Sequence, residues 1–383
     1  MAITLTDQQY MSRAIQLARQ GLYTTSPNPR VGCVLVKENQ VLGEGFHLKA
    51  GQGHAEVNAL ADAKQRGNDV KGATAYVTLE PCSHFGRTPP CSQGLIDAGV
   101  ARVVGAMTDP NPQVAGRGFN MLRDSGIEVE QACLAEEAAK LNPGFFKRMT
   151  TGMPLVRIKM ATSLDGRTAM QNGDSQWITG PEARADVQKL RARSCAIITG
   201  ADSVLIDNPS MNVRDVEDYP LAEKRQPLRV VIDGRNRINA KAKLFTLAGP
   251  ILIATCSEPE QRVQRLSIMG EPQQDKLDGL DYWLSPSSSA QADKVDLKAL
   301  LAHLASLGHN EVLVESGAQL AGAFIEQGLV DELVLYTAPT LLGSDARPVF
   351  TLPFEQMNQQ LRWVWSDVRM VGNDLRLILT PES

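Results

Sequence analysis

Apolar residues first recur at helical spacing at Tyr10, Met11, Ala14, Leu17 and Ala18, which predicts an amphipathic helix over 7–20 with Asp7 as its N-cap and Gly21 as its stop. A Pro-punctuated loop, TTSPNPRVG (24–32), leads into the β-rich run VGCVLVK (31–37), and a turn at Glu38 and Asn39 returns the chain through VLGEGFH (41–47) as a hairpin. A second helix is predicted to begin at His54 and Glu56 and to run toward Gly67, with Val57, Leu60 and Ala61 opening its apolar stripe. The strand ATAYVTL (73–79), a helix over 91–98, the strand ARVVGAM (101–107), a helix near 115–125 and the strand IEVE (127–130) follow. This alternation predicts a three-layer α/β sandwich with helices on both faces.

NPGFFKRMTTGMP (142–154) mixes helix-stopping, basic and flexible residues, so the domain boundary is expected there, giving domains 1–149 and 150–383. The second opens with the strand PLVRIKMATS (154–163) and a turn at 164–166. At TGPE (179–182) Thr179 is expected to cap a helix, with Pro181 in its first turn and Glu182 completing a capping box. Strands at 195–200, 227–234, 250–255, 311–316 and 332–338 predict a second, mostly parallel α/β domain. The polar stretch 257–296 carries little pattern and reads as variable surface with a short helix at most.

Composition narrows the class. A chain of 383 residues fits two domains at roughly 100 to 200 residues each. Lys plus Arg (39) against Asp plus Glu (43) leaves a formal charge of -4, so no broad positive field favours nucleic acid or an anionic membrane. No secretory signal pattern or membrane-length apolar run is evident, and a cytoplasmic protein is expected. Six cysteines in such a chain read as buried thiols or metal ligands instead of a disulfide framework.

HAE (54–56) and PCSHFGRTPPC (81–91) carry the sharpest chemistry. A catalytic zinc needs three protein ligands and one open position, and His54, Cys82 and Cys91 supply an imidazole and two thiolates. Glu56 is then free to carry a proton between an attacking water and a departing amine. The general zinc-deaminase signature separates its cysteines by two residues, whereas eight (SHFGRTPP) stand between Cys82 and Cys91 here. A closed, structural site would need a fourth ligand, for which His47 or His84 is available; a carboxylate at Glu56 favours catalysis.

PNPRVG (27–32), HAE (54–56) and TLEPCSHFGRTPPC (78–91) together resemble the bifunctional riboflavin-biosynthesis deaminase/reductase family, in which the longer cysteine gap is the rule. In the second half, KMATSLDGRTA (159–169), DSQWITG (174–180), LRARSCAIITGADSVLIDNP (190–209) and LVDELVLYTAPTLLG (329–343) resemble the family's reductase part. The resemblance implies a cytidine-deaminase-like sandwich followed by a dihydrofolate-reductase-like α/β domain, with Zn2+ and NADPH as cofactors. It implies deamination of 2,5-diamino-6-(5-phosphoribosylamino)pyrimidin-4(3H)-one and then reduction of the product's ribosyl group.

It further implies substrate contacts at Asn28, His47, His84, Arg87, Ser175, Arg191, Met211, Arg214 and Glu315. Cofactor contacts are implied at Ala161, Trp177, Ser203, Asp207, Gly234, Gly317, Ala318, Gln319 and Leu320. Lys159, Asp165 and Glu315, with solvent as another source, are to be considered as proton donor, and Arg235 as a 2'-phosphate partner. The turn SGAQ departs from the family's usual Gly and Pro-Thr, which is harmless only if the backbone there is not left-handed. A homo-oligomer, dimer or tetramer, is expected, with ELVLYTA (332–338) as an apolar strand for a subunit interface. The competing function is a nucleoside or RNA-base deaminase fused to an unrelated pyridine-nucleotide reductase, which would need a basic, aromatic surface for a polymer; aromatic residues make up only 5% of the chain.

Overall fold

The computed structural model describes residues 3–83, 89–112, 114–214, 216, 225–239, 241–256, 280–286 and 293–382. The chain divides into two compact units, Met1–Met153 and Pro154–Ser383.

In the first unit the elements run α1 (Leu5–Arg19), β1 (Gly32–Lys37), β2 (Gln40–Phe46), α2 (Ala55–Gln65), β3 (Thr74–Val77), α3 (Cys91–Asp97), β4 (Arg102–Gly105), α4 (Arg117–Asp124), β5 (Glu128–Glu130), α5 (Ala135–Ala139) and α6 (Pro143–Thr151). The sheet order is β2-β1-β3-β4-β5; β1 is antiparallel to both neighbours and β3, β4 and β5 are parallel. Alternate residues of β1 point to opposite faces. Val34 and Val36 pack with Met11, Ala14 and Ala18 of α1. Cys33 and Leu35 pack with Ala55, Ala59 and Leu95 from α2 and α3 and with Phe119 of α4. The expected three layers are present.

Three local expectations need correction. The N-cap of α1 is Thr4, and Asp7 is the third helical residue of a reciprocal capping box. The buried face of α2 is Ala55, Glu56, Ala59 and Ala63; of the larger aliphatics expected to mark it, Leu60 packs against the core in part while Val57 is 41% exposed. Small residues are needed there because α2 lies almost on the backbone of β2: a Cβ at Gly43 or Gly45 would fall 2.4 Å from the carbonyl oxygen or 2.3 Å from the nitrogen of Ala59. Residues 143–151, read as helix-stopping and flexible, form α6, stopped by Gly152 in a left-handed conformation; the two units divide just after it, between Met153 and Pro154, inside the segment expected to hold the boundary.

The second unit contains β6 (Leu155–Ser163), β7 (Arg167–Ala169), α7 (Pro181–Arg193), β8 (Ala196–Gly200), α8 (Ala201–Asp207), β9 (Leu228–Ile232), β10 (Ile251–Thr255), β11 (Leu280–Leu284), α9 (Leu297–Ser306), β12 (Glu311–Val314), α10 (Ala318–Glu326), β13 (Glu332–Ala338), β14 (Arg347–Pro348), β15 (Trp363–Val371) and β16 (Asp374–Pro381). Its main sheet runs β11-β10-β9-β8-β12-β6-β13-β16-β15. Pairing is parallel from β11 to β13 and antiparallel through β16 and β15. The N-cap of α7 is Gly180, without a side-chain cap bond, and Pro181 stands in the first turn as expected; Thr179 is not the cap. Strand β11 lies inside the stretch expected to be featureless surface, most of which is outside the described residues. ELVLYTA is β13, hydrogen-bonded on both sides and largely buried, so its edges are not free to pair with a strand of another chain. No helix among the described residues is long and apolar enough to cross a membrane.

Candidate active sites

His54 is the N-cap of α2 and extends no side-chain bond to its own helix. Cys82 follows the carboxyl end of β3, the edge at which parallel α/β sheets expose active groups. Cys91 opens α3. Three separate elements thus bring His54 Nδ1 to 3.6 Å from Cys82 Sγ and 3.3 Å from Cys91 Sγ, and all three ligand atoms lie within 4.8 Å of one another. Tetrahedral zinc with bonds of about 2.0–2.3 Å holds such atoms roughly 3.5 Å apart, so the donor set fits the ion. The Cys91 backbone N–H also donates to Cys82 Sγ at 3.3 Å.

The acidities agree with that donor set. The hydrogen bond from Cys91, with His54 beside it, pulls the Cys82 thiol down to about 4 against the opposing effect of burial. Cys91 is pushed far above the ordinary thiol range by acting as donor to Cys82 and by burial. Without a cation only one of two touching thiols can ionise; a dication bound between them lets both do so.

Glu56, only 3% exposed, stands in the same cluster. Burial, reinforced by the Cys82 charge, pushes its carboxyl up to about 7, and His54 acts in the opposite direction. His47 is not a fourth ligand. Its Nδ1 donates to Gly53 O at 3.0 Å and its Nε2 lies 3.1 Å from Asn28 Nδ2, so both ring nitrogens are engaged in one neutral tautomer. Burial lowers its pKa, which favours that neutral form. The His47 ring packs edge-on to His54 at 5.3 Å, which brings Asn28 and His47 to the edge of the ligand cluster. His84 and Arg87 lie outside the described residues. Glu80 and Ser92, which hold the chain around Cys82, were not singled out by motif; their partners are distant in sequence.

In the second unit Arg191 of α7 grips Glu315 bidentately, at 2.7 and 2.8 Å, and donates to Asn212 O at 3.2 Å. Arg214 bonds the Asn212 side chain at 2.9 Å and, with Lys159, acts electrostatically on Glu315. Met211, buried and at φ 49°, belongs to this same loop. The structure therefore gathers Arg191, Met211, Arg214 and Glu315 with Lys159. Ser175 lies half-buried in the loop before α7, and Trp177 is 70% exposed with Arg184 over its ring at 4.5 Å.

The expected cofactor positions fall at the carboxyl ends of neighbouring parallel strands: Ser203 and Asp207 on α8 after β8, Gly234 after β9, and Gly317 to Leu320 after β12. Ala161 lies on β6, paired with Tyr336. Gly317 caps α10 at φ -73° with no side-chain bond to its N–H groups, and a Cβ there would meet nothing within 4 Å. An uncapped helix start beside open space suits a pyrophosphate. Because the backbone is not left-handed, Ser316 and Ala318-Gln319 bring no strain. Leu320 approaches Gly200 at 3.4 Å from its Cβ position, which joins the β8 and β12 ends. Arg235 forms an exposed pair with Asp293 at 3.4 Å.

The family model described as the RibD C-terminal domain matches residues 154–377, and that of the cytidine and deoxycytidylate deaminase zinc-binding region matches residues 4–107. The riboflavin biosynthesis protein RibD of Haemophilus influenzae is 47% identical over 384 residues, 98% of each chain. That of Escherichia coli is 46% identical over 383 residues, 98% of this chain and 99% of the other. Among solved structures, Acinetobacter baumannii RibD superposes with a TM-score of 0.87 at 46% identity over 99% of both chains. A Thermotoga maritima diaminohydroxyphosphoribosylaminopyrimidine deaminase/5-amino-6-(5-phosphoribosylamino)uracil reductase gives 0.85 at 32% identity, over 98% of this chain and 99% of the other.

Proposed function

Because the chain belongs to the RibD family of bifunctional riboflavin-biosynthesis deaminase/reductases, we propose that it deaminates 2,5-diamino-6-(5-phosphoribosylamino)pyrimidin-4(3H)-one and then reduces the product's ribosyl group to ribityl. Residues 1–149 carry the deaminase and 150–383 the reductase in this reading. The observation that carries it is the convergence of His54, Cys82 and Cys91 with the buried carboxyl of Glu56 beside them. Zinc held by those three residues would supply a water activated near neutral pH. Glu56 takes a proton from the attacking water and hands it to the departing ring amine, so the C–N bond breaks as the ring carbonyl forms and ammonia leaves. Asn28 and His47, locked to each other at 3.1 Å, orient the base.

In the second step NADPH carries the hydride. Arg214 offers its guanidinium to the ribose phosphate, Arg191, whose fork is held by Glu315, adds its charge beside it, and the open N-terminus of α10 receives the cofactor's pyrophosphate. Of the three acids considered, Lys159 is favoured as proton donor. Asp165 is drawn down to about 2 by Ser163 and by the N–H groups of Leu342 and Gly343; it fastens a loop. Burial would raise Glu315, but Arg191 and Lys159 hold its carboxylate below the usual range. Burial lowers the Lys159 ammonium, which eases its loss of a proton.

The reading includes a cytoplasmic homo-oligomer, dimer or tetramer. Support for assembly comes from the edge strand β15, which exposes Val364, Trp365, Val368 and Met370. The test is to supply the purified chain with the diaminopyrimidine phosphate, record ammonia, then add NADPH and follow its oxidation. Sequential release and oxidation are expected. Equal NADPH oxidation with dihydrofolate would overturn the substrate assignment of the second unit.

A further inference from the structure

Glu80 lies between β3 and the ligand Cys82, is 4% exposed, and has its carboxylate bonded to backbone. Its Oε2 accepts from the N–H groups of Asp109 at 3.1 Å and Gly116 at 2.8 Å; its Oε1 accepts from Gly118 at 2.8 Å and Phe119 at 3.4 Å. Four N–H donors fill the lone-pair sites of one carboxylate. Two of them are N–H groups of the first turn of α4, which otherwise has no side-chain cap. The carboxylate therefore ties the start of α4 and the loop after β4 to the peptide that carries Cys82.

The rest of the contact is equally close. A Cβ at Gly118 would fall 1.9 Å from Pro81 O, so α4 rests directly on the Pro81–Cys82 peptide. Beside Gly118 the fully buried Ser92 Oγ donates to Pro81 O at 3.1 Å and lies 3.0 Å from Cys82 O, and its backbone N–H donates to Cys82 O at 3.2 Å. Cys82 is thus clamped through its main chain by groups from α3 and α4, with Glu80 as the charged member.

We infer that Glu80 is a positioning residue for the metal: by capping α4 from the Cys82 strand end it fixes Cys82 Sγ at ligand distance from His54 and Cys91, and so sets how slowly zinc is lost. The inference rests on the zinc reading above. Glu80→Gln places an amide NH2 against N–H donors, which abolishes one of the two short bonds, from Gly116 or Gly118, without changing side-chain size. Outer-group changes of this kind cost on the order of 10- to 100-fold in metal affinity or activity.

The experiment uses the full-length zinc-loaded protein. Zinc is first counted by elemental analysis; a wild-type chain without it would refute the zinc reading itself. Zinc transfer to a chromogenic chelator is then timed for wild type, Glu80→Gln, Ser92→Ala and Asp7→Asn, and the visible spectrum of each cobalt-substituted form is recorded. Asp7 belongs to α1 on the other face of the sheet and serves as the control for general destabilisation. Glu80→Gln is expected to release zinc roughly 10-fold faster or more and to shift the cobalt–thiolate bands, and Ser92→Ala to do so more weakly. Asp7→Asn is expected to melt lower with unchanged release and spectrum below its melting range. Should Glu80→Gln fail to fold, Glu80→Asp, which keeps the charge but shortens its reach to Gly116 and Gly118, is read in its place. Release and spectra equal to wild type in a zinc-containing protein, or no different from Asp7→Asn at the same distance below the melting point, would overturn the inference and leave the zinc reading intact.

Discussion

Replacement of Asp7 by Asn should destabilise the first unit and flatten its acid transition. Asp7 is 2% exposed, and its carboxylate accepts from Arg102 Nη1 at 2.7 Å, Tyr76 Oη at 2.8 Å and both donors of Thr4 at 2.8 Å. Burial alone would raise its pKa; the bonds from Arg102, Thr4 and Tyr76 outweigh it and hold the carboxyl far below the usual range. A group depressed in the folded state contributes stability above its unfolded pKa of about 3.9, and that contribution is lost as pH falls toward the folded value. Breaking a buried pair on one side costs roughly 3 kcal/mol or more, because the partner charge stays buried; Arg102 has only 17% of its side chain exposed. All four tryptophans (177, 283, 363, 365) lie in the second unit, so their emission cannot report this change. Urea unfolding should be followed by far-ultraviolet dichroism at pH 7, pH 4 and pH 3, with zinc release as a second reporter at pH 7 only. The expected result is a loss of about 3 kcal/mol at pH 7 that shrinks as the pH is lowered below 4. A loss under about 0.5 kcal/mol, the size of an ordinary surface change, or one that is constant with pH, would refute the reasoning.

Stripping zinc with a strong chelator should abolish ammonia release while NADPH oxidation with the deaminated intermediate continues; parallel loss of both would contradict the division of labour between the units. Arg191→Lys keeps the charge but loses the bidentate grip on Glu315, so kcat/KM for NADPH oxidation should fall on the order of tenfold, one charge-assisted bond's worth. Steady-state kinetics with ammonia release as the internal control checks it, and an unchanged kcat/KM would remove Arg191 from the substrate site.

The order of elements in the first unit and the identity of the zinc ligands were legible because they depend on local spacing: alternation in VGCVLVK, and an imidazole and two thiols at strand and helix ends. The inner face of α2 was not. It is chosen by the glycines of β2, which admit only small residues, and so Ala59 and Ala63 face inward while Val57 faces solvent. The C-terminal hairpin of β15 and β16 also escaped, since β15 is an edge strand with polar and apolar residues exposed on both faces, leaving no alternation to detect. Glu80 looked like an unremarkable acid in TLEPC because its partners lie 29 to 39 residues away. In the reductase half, the pairing of Arg191 with Glu315 spans 124 residues, and only the family resemblance brought those two positions into one site beforehand.

The central claim is that Glu56 moves the proton at a zinc site built by His54, Cys82 and Cys91. It is tested most directly by measuring zinc content and ammonia release together in Glu56→Gln, which retains the size of a buried side chain but cannot take up a proton. The account predicts full zinc occupancy with ammonia release reduced by roughly 100-fold or more, and NADPH oxidation of supplied intermediate unchanged. Ammonia release near the wild-type rate in the zinc-loaded variant would contradict it.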